Sequence, residues 1–483
     1  MAKQTRFRTF RIKCNDNLSV PIGNLVWAQA FFERFGLDEV VRAFKTKGTD
    51  LAKLTEAMVA YKAGDNFSIL RCHGFMMQPP IREALGLPEF DVRGLYRAVE
   101  ILERNKEPII TAFRKRFLVE YGPEVTDTVF DWTSLVYFGD KPEKAMRGHS
   151  KDGHPEECQV MVGVAQLAKP LGVPIGLTVM PGNTHDGKHM LETFGQVHKD
   201  LTDGSTMIFD AGANNKTVLD EIVEDSKHYL TRKRFNKSDD AILAGFSEET
   251  WECIDAEKGE YCLKRVFPSR VNYCFFSREL CDLEKKGVEK RARKKLKEAK
   301  DLQRDLEQGK RLKKRYQIDN VLIKATISLQ TKLTEITEEE EALRLLLEKG
   351  TTGREGFFCL VSDRDMDPRE ARSKYRSKDV VEKLFSSMKS DIGIRPIRTW
   401  TDDAVDGVLL IGFLAQAMTS VTRFLCEPAS STATKFITDA MQKLTLTVVR
   451  RKDGERRFVL SNYTPLNEAV LRCYGLFSEA PTM

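Results

Sequence analysis

Between residues 126 and 234 the chain changes period in an order that few folds allow. TDTVFDWTSLVYFG (126–139) is rich in β-branched and aromatic residues, with its strand-like part at Val129 to Leu135. QVMVGVAQL (159–167) and VPIGLTVMPGN (173–183) are two more apolar runs, and Leu171–Gly172 between them suits a hairpin. A helical stretch from about Asp186 to Leu201 comes next. TMIFDAGANN (206–215) then reads as a strand ending at an acid, TVLDEIVEDS as a short helix and HYLTRKR (228–234) as a strand. The first three strands have no helices between them. That excludes a doubly wound sheet and predicts a mixed-sheet α/β domain.

The remaining chain, 483 residues in all, leaves room for further domains. Residues 1–122 predict a helical N-terminal domain. NLVWAQAFFERFG and LTEAMVAYKAG show apolar 3–4 spacing and end in Gly, and QPP at 78–80 breaks the series. The α/β domain is expected over 123–244 and again over 356–430, where GFFCLVSD (356–363) returns the chain to the sheet. An insertion, 245–355, opens with the strand-like pieces TWECIDA, YCLKRVF and RVNYCFF. After them comes a long helical segment from about Arg278 to Lys349, basic in its first half (KKGVEKRARKKLKEAKDLQRD, KRLKKR). Its second half sets Leu322, Leu329, Ile336 and Leu343 at heptad spacing, with Leu333 and Leu347 alongside. Gly309 stands where the two halves would turn and Gly350 closes the pair, so an antiparallel helical hairpin is expected. Its basic half is either a solvated coiled-coil face or a DNA-tracking face. In the C-terminal extension, 431–483, Asp453-Gly454 predicts a hairpin turn crowded by Arg450, Arg451, Lys452, Arg456 and Arg457. That tip either grips phosphates or keeps an edge hairpin soluble.

A net charge of +6 is slight, so any polyanion site must come from local clustering. The ten cysteines include no CxxC and read as free thiols of a reducing cytosol. MAKQTRFRTFRIK has no apolar h-region and is not expected to be a signal peptide. GVLLIGFLAQAMTSVTRFL (407–425) is near spanning length, but Gln416, Thr419, Ser420, Thr422 and Arg423 make it a buried helix. A soluble, cytoplasmic protein is expected.

YRSKDVVEKLFSSMKS (375–390) reads as one helix, with Val380, Val381, Leu384, Phe385 and Met388 at helical spacing. On it, Tyr375, Lys378, Glu382 and Lys389 fall at roughly 0°, 300°, 340° and 320°, one stripe beside the buried face. Taken alone, this is an amphipathic helix with a Lys378–Glu382 i,i+4 pair on its shoulder. Two acids elsewhere give Glu382 partners: Asp131 in VFDWT, and Asp210 in IFDAG. A carboxylate flanked by apolar strand residues is costly unless paired or metal-bound. Three carboxylates suit Mg²⁺ or Mn²⁺. Two such ions would activate a water or 3′-hydroxyl and stabilise the leaving oxygen of a phosphodiester. Glu382 would then hold metal while Tyr375, Lys378 and Lys389 contact phosphates.

These residues resemble the DDE transposases of prokaryotic insertion sequences, in the subgroup whose third acid lies in Y-x2-R-x3-E-x6-K. Here the signature runs Tyr375, Lys378, Glu382, Lys389, with Lys378 in place of the usual Arg. Lysine keeps the charge and loses the bidentate fork. RGHSKDGHPEECQVMVGVAQ and PIGLTVMPGNTHDGKHM resemble the segments between the first two acids, and SMKSDIGIRPI resembles the segment just after the third. Trp132 stands after Asp131 where the family often has Thr. The likeness covers roughly 125–235 and 355–425. It implies a ribonuclease H-like fold with an insertion before the acidic helix. It also implies Asp131, Asp210 and Glu382 as catalytic residues and ligands of Mg²⁺ or Mn²⁺, two ions in all. The implied partners are double-stranded DNA, as inverted-repeat ends and target, and a second copy in a homodimer. The implied chemistry is cutting at the ends, then 3′-hydroxyl attack on target DNA. Related enzymes excise through a DNA hairpin with a base flipped onto a tryptophan of the inserted domain. Trp251 is the only tryptophan of the insertion and the candidate for that platform, or else the core of a small β subdomain. Arg232 and Lys233 touch the DNA backbone or form a solvated pair. His149, His154, His185 and His189 border the site, orienting backbone or phosphate rather than binding Mg²⁺, which prefers oxygen. Other readings are a nuclease of the same fold without strand transfer, a non-enzymatic DNA-binding relic, and a coiled-coil interaction protein.

Overall fold

The computed structural model describes residues 19–64, 68–137, 142–148, 150–151, 153–154, 156–169, 172–310, 339–390, 402–450 and 456–476. His149, the heptad residues Leu322, Leu329, Leu333 and Ile336, segment 391–397 and the 451–455 hairpin tip lie outside them.

Strand β1 (Ser19–Pro21) precedes helices α1 (Gly23–Arg34), α2 (Leu37–Ala43), α3 (Leu51–Gly64), α4 (Ile69–Met76), α5 (Pro79–Leu85), α6 (Arg93–Arg104) and α7 (Lys106–Tyr121). Next come β2 (Thr128–Tyr137), β3 (Cys158–Leu167), β4 (Pro174–Pro181), α8 (Asp186–Val197), β5 (Thr206–Phe209), α9 (Lys216–Glu224) and β6 (His228–Lys233). They are followed by α10 (Lys237–Ala244), β7 (Glu252–Asp255), β8 (Glu260–Phe267), β9 (Arg270–Ser277), α11 (Arg278–Glu307), α12 (Glu339–Gly350) and β10 (Phe357–Ser362). The chain ends with α13 (Pro368–Arg376), α14 (Lys378–Ser390), α15 (Asp402–Leu425), α16 (Glu427–Ser430), α17 (Thr434–Lys443), β11 (Thr445–Arg450), β12 (Arg456–Ser461) and α18 (Pro465–Cys473). These match the periodicities closely; QPP splits α4 from α5, with Pro79 in the first turn of α5.

The described chain divides into two compact units, one running to His228 and resuming at Lys374, the other Tyr229–Ser373. In the first unit the strands lie in the order β4-β3-β2-β5. β2, β3 and β4 form an antiparallel meander, and β5 pairs parallel to β2 on its other side. That is the ribonuclease H-like arrangement: a long β2 at the centre, and a fourth strand reached through a helix. Helix α15 packs on α3, α6 and β4 and is almost wholly buried, as its all-round apolarity requires. Its buried Asp406 is matched by Lys106 at 3.2 Å and by Lys144. Trp27 of α1 donates to Thr422 of α15 at 2.9 Å. Phe31 of α1 and Phe35 at its C-cap meet Phe113 of α7, with ring centroids 5.6 and 5.3 Å away. β1 pairs antiparallel with β11, and β11 with β12, so the expected C-terminal hairpin forms.

Glu56 of α3 is buried among these helices, and burial pushes its carboxyl up to about 7. An acid raised in the folded state favours folding below its unfolded pKa, and the advantage disappears as pH rises through the folded value. Glu56→Gln is therefore expected to stabilise the chain at pH 8, by up to roughly 3 kcal/mol. The difference from wild type should vanish near pH 4, where both side chains are neutral. Paired thermal melts at the two pH values test this; an equal offset at both would mean that ionisation is not its source.

In the second unit the strand order is β6-β10-β9-β8-β7. Helices α11 and α12 pack as the expected antiparallel hairpin, with Val288 against Gly350 and a seam of Ala292, Leu296, Ala342 and Leu346. Leu343 and Leu347 pack against the seam. Just past α11, Gly309 has φ +70°, the left-handed conformation that closes a helix and that glycine alone adopts freely.

Candidate active site

Strand register brings the first two acids together. Thr128 stands opposite Met207 and Val129 opposite Ile208 in the parallel β2–β5 pair. Continuing by two residues puts Asp131 and Asp210 level and on one face. Asp131 is the one position along β2 that is only partly buried. Asp210 is the first residue beyond β5, in a turn closed by the Ala213 N–H on its carbonyl at 3.2 Å. Gly212 leaves room in that turn for the Asp186 carboxylate: a Cβ there would stand 2.2 Å from its Oδ2 and displace it.

Helix α14 supplies the third acid. It packs on β2 and buries Val381, Leu384, Phe385 and Met388. Lys378 and Glu382, one turn apart, share a face. The Lys378 Nζ lies 2.9 Å from Oδ2 of Asp210, 3.6 Å from Oε1 of Glu382 and 3.9 Å from Oδ1 of Asp131. Three acids from three distant segments thus surround one ammonium. The lysine side chain is 7% exposed and Glu382 63%, so the cluster is closed at its centre and open at Glu382. Burial opposes the charge on Lys378, but Asp131 and Asp210 outweigh it and hold its pKa above the usual value. Burial pushes the Asp131 carboxyl above its ordinary range, against the pull of Lys378 and Lys151.

The single helix expected over 375–390 is corrected to two. It breaks at Ser377, whose Oγ donates to the Lys374 carbonyl at 2.5 Å while its N–H bonds the same carbonyl three residues back. A serine hydroxyl competing for backbone in this way interrupts the i→i−4 ladder. Tyr375 therefore ends α13 instead of lying on the stripe of α14, yet its hydroxyl donates to Oδ1 of Asp210 at 2.8 Å. Lys389 donates to Thr133 Oγ1 at 2.6 Å, two residues beyond Asp131 on the same face of β2.

Two features had no sequence signal. Lys151 donates to the Trp132 carbonyl at 2.6 Å and lies 3.9 Å from Asp186. It stands in a loop whose irregular backbone gives no periodicity to read. Asp127 accepts the Thr206 N–H at 2.8 Å and pairs with Lys374, tying the entries of β2 and β5 to the end of α13. Trp132, on the other face from Asp131, is buried and donates to Thr193 at 3.3 Å. His189 lies nearby, its Nε2 2.9 Å from Thr178 Oγ1; burial and Lys151 push its pKa down to about 3, so it is neutral. His154 is exposed beside Glu156 at 3.5 Å, and His185 is the N-cap residue of α8.

Arg232, Lys233 and Trp251 belong to the second unit. Arg232 is exposed on β6, whereas Lys233 is held by both carboxylate oxygens of Asp239, at 2.6 and 2.8 Å. Trp251 is 4% exposed, edge-on to Phe246 and Phe357 with centroids 5.1 and 5.9 Å away. Its rings are covered by phenylalanines, so a base could stack there only if that cluster opened.

The donors at Asp131, Asp210 and Glu382 are all oxygen, the set that a hard divalent ion takes. Among the described residues no three acids, histidines or cysteines stand close enough together to share a metal ion as they are. The three acids share the Lys378 ammonium, which stands in for a cation among them.

The family described as Transposase DDE domain matches residues 125–418, more than half of the chain. No curated protein matches the chain. Among solved structures it is similar to a piggyBac transposase in a synaptic complex with hairpin DNA. That match has a TM-score of 0.42 and 10% identity, over 87% of this chain and 79% of that one.

Proposed function

The chain belongs to the transposase DDE domain family, and from that premise we propose that it binds the inverted-repeat ends of an insertion sequence, cleaves the DNA there and joins the 3′-hydroxyl ends to target DNA. Its family acts on DNA by metal-dependent cutting and joining. The observation that carries the reading is the gathering of Asp131, Asp210 and Glu382 within 4 Å of one ammonium. In this reading these three residues hold Mg²⁺ or Mn²⁺, as two ions. When bound, the metal supplies activation of the attacking oxygen and neutralisation of charge on the leaving one.

The chain's own groups do the rest. Lys378 compensates the acids before DNA arrives, and as a lysine it offers a phosphate one mobile point charge instead of a planar fork. Tyr375 fixes the Asp210 carboxylate through its hydroxyl. Lys389 extends the positive edge of α14 toward the phosphates beside the scissile bond. The protein acts as a homodimer, because paired ends must be cut in concert, and works in the cytoplasm at the nucleoid. The test clones the gene's two flanks on one plasmid, adds purified protein with Mg²⁺ and maps strand ends, beside an Asp131→Asn/Glu382→Gln control. Paired breaks at inverted repeats, absent from the control, are expected. Binding without cleavage would leave a DNA-binding relic as the better reading, and breaks without joined products a nuclease.

Lys389→Ala is expected to weaken binding to the ends and to flatten its salt dependence by about one unit of slope. An unchanged slope would remove Lys389 from the DNA interface.

A further inference from the structure

The basic helix of the hairpin carries a charge density that the acid cluster does not use. From Lys285 to Lys300, nine basic residues stand against two acidic ones, so this segment alone exceeds the chain's net charge of +6. The fold sorts them. Val288, Ala292 and Leu296 are buried along one side of α11, in the seam with α12. Lys286, Lys290, Arg293 and Lys297 recur at 3–4 spacing within about 60° of one another, on the side away from that seam. All four are exposed.

We propose that this stripe of α11 is a docking surface for the phosphate backbone of double-stranded DNA, independent of sequence. It extends the DNA-handling role above but uses none of the residues around Lys378. Among the described residues Lys286, Lys290 and Lys297 have no ion-pair partner. Arg293 pairs with Glu289 at 2.8 Å on its own helix, a surface contact that phosphate readily displaces. Lys294 pairs with Glu298 at 3.9 Å within the helix, beside the stripe, and Arg304 with Asp301 at 2.6 Å beyond its end. A stripe of about 16 Å with a charge on every turn matches a partner whose negative charge repeats without interruption, about one per 1.7 Å of duplex axis. A second copy of the chain is a poorer complement. The described acids of α12 are Glu340 and Glu341 in its first turn and Glu348, which Arg344 of the same helix holds at 3.1 Å, so they form no matching acidic stripe. Four flexible basic side chains with no aromatic among them recognise charge, and carry no means of reading bases.

The test uses the full chain without metal, so that nothing is cut, and a duplex of about thirty base pairs of arbitrary sequence. Anisotropy titrations over a salt series give the slope of log affinity against log salt. The variant Lys286→Gln/Lys290→Gln/Arg293→Gln/Lys297→Gln is expected to lose about three units of slope. The charge-matched control Lys47→Gln/Lys199→Gln/Lys216→Gln/Lys443→Gln, exposed lysines of the other unit, should lose no more than about one. The milder pair Lys290→Gln/Lys297→Gln should lose about half the full effect, and decides the matter if the fourfold variant melts early. Equal losses in stripe and control variants, or no duplex binding by the wild type, would overturn the proposal. So would a changed oligomeric state with an unchanged slope, which would assign the stripe to a second copy. Failure of the plasmid cleavage assay alone would sink the transposase reading and leave this one standing.

Discussion

Asp210→Asn abolishes metal-dependent cleavage, by at least about 10³-fold, and leaves DNA binding within a few-fold of wild type: that is the expected result. The exchange keeps shape. An asparagine carbonyl at the position of Oδ1 still accepts the Tyr375 hydroxyl, while its NH2, now at the position of Oδ2, turns the Lys378 ammonium toward Asp131 and Glu382; the backbone of the turn after β5 has no steric reason to move. What is lost is one unit of negative charge among three acids, and with it a hard oxygen ligand. A thousandfold loss corresponds to about 4 kcal/mol of transition-state stabilisation, a plausible scale for one ligand of a catalytic metal. Binding depends instead on basic groups, and removing a carboxylate beside phosphate does not weaken it. Strand-end mapping and anisotropy on the same preparation separate the two effects. Loss of cleavage and binding together, with an early melt, would make Asp210 structural and remove the catalytic reading's central residue.

Asp131 and Asp210 were legible because each is a polar exception to a strand pattern. Parallel pairing of β2 with β5 then leaves them level. The hairpin of α11 and α12 was legible in the same way, through apolar residues at helical spacing that needed a partner helix. Other features escaped because they depend on geometry that a periodicity does not encode. Nothing in YRSKDVV announces a break: no Gly or Pro marks it, and the stop at Ser377 is a side-chain hydroxyl turned onto the backbone. Lys151 acts on Asp131 from an irregular loop, and Asp127 matters only once β5 and α13 are beside it. Trp251 was open in both directions until burial among Phe246 and Phe357 set its surroundings. In the motif FRKRF, Arg114 looks like one more solvated charge on an amphipathic helix.

Arg114→Met is expected to be the most destabilising of these substitutions, by about 3 kcal/mol or more. The side chain is 3% exposed and all three of its nitrogens donate hydrogen bonds. Its Nε bonds Asp200 Oδ2 at 2.7 Å, Nη1 the Ile175 carbonyl at 3.1 Å, and Nη2 the Gln196 carbonyl at 3.0 Å and Thr111 Oγ1 at 3.2 Å. Helix α7 is thereby tied to β4, to the end of α8 and to the turn after it. β4 has a free edge here, and the Gln196 side chain completes it, accepting the Leu177 N–H at 2.7 Å and donating to the Leu177 carbonyl at 3.0 Å. Methionine fills much of the volume but takes this donor from the buried Ile175 carbonyl and the part-buried Gln196 carbonyl, and leaves Asp200 with Lys115 at 3.8 Å. The two effects add to more than the loss of a surface pair. Melts at one scan rate should show the midpoint falling by at least about 5 °C. Arg114→Met/Asp200→Leu should recover part of that fall, because it removes the stranded carboxylate together with the guanidinium. A single variant that melts with the wild type would mean that α7 is held by its phenylalanines alone, and that the sheet's edge needs no arginine behind it.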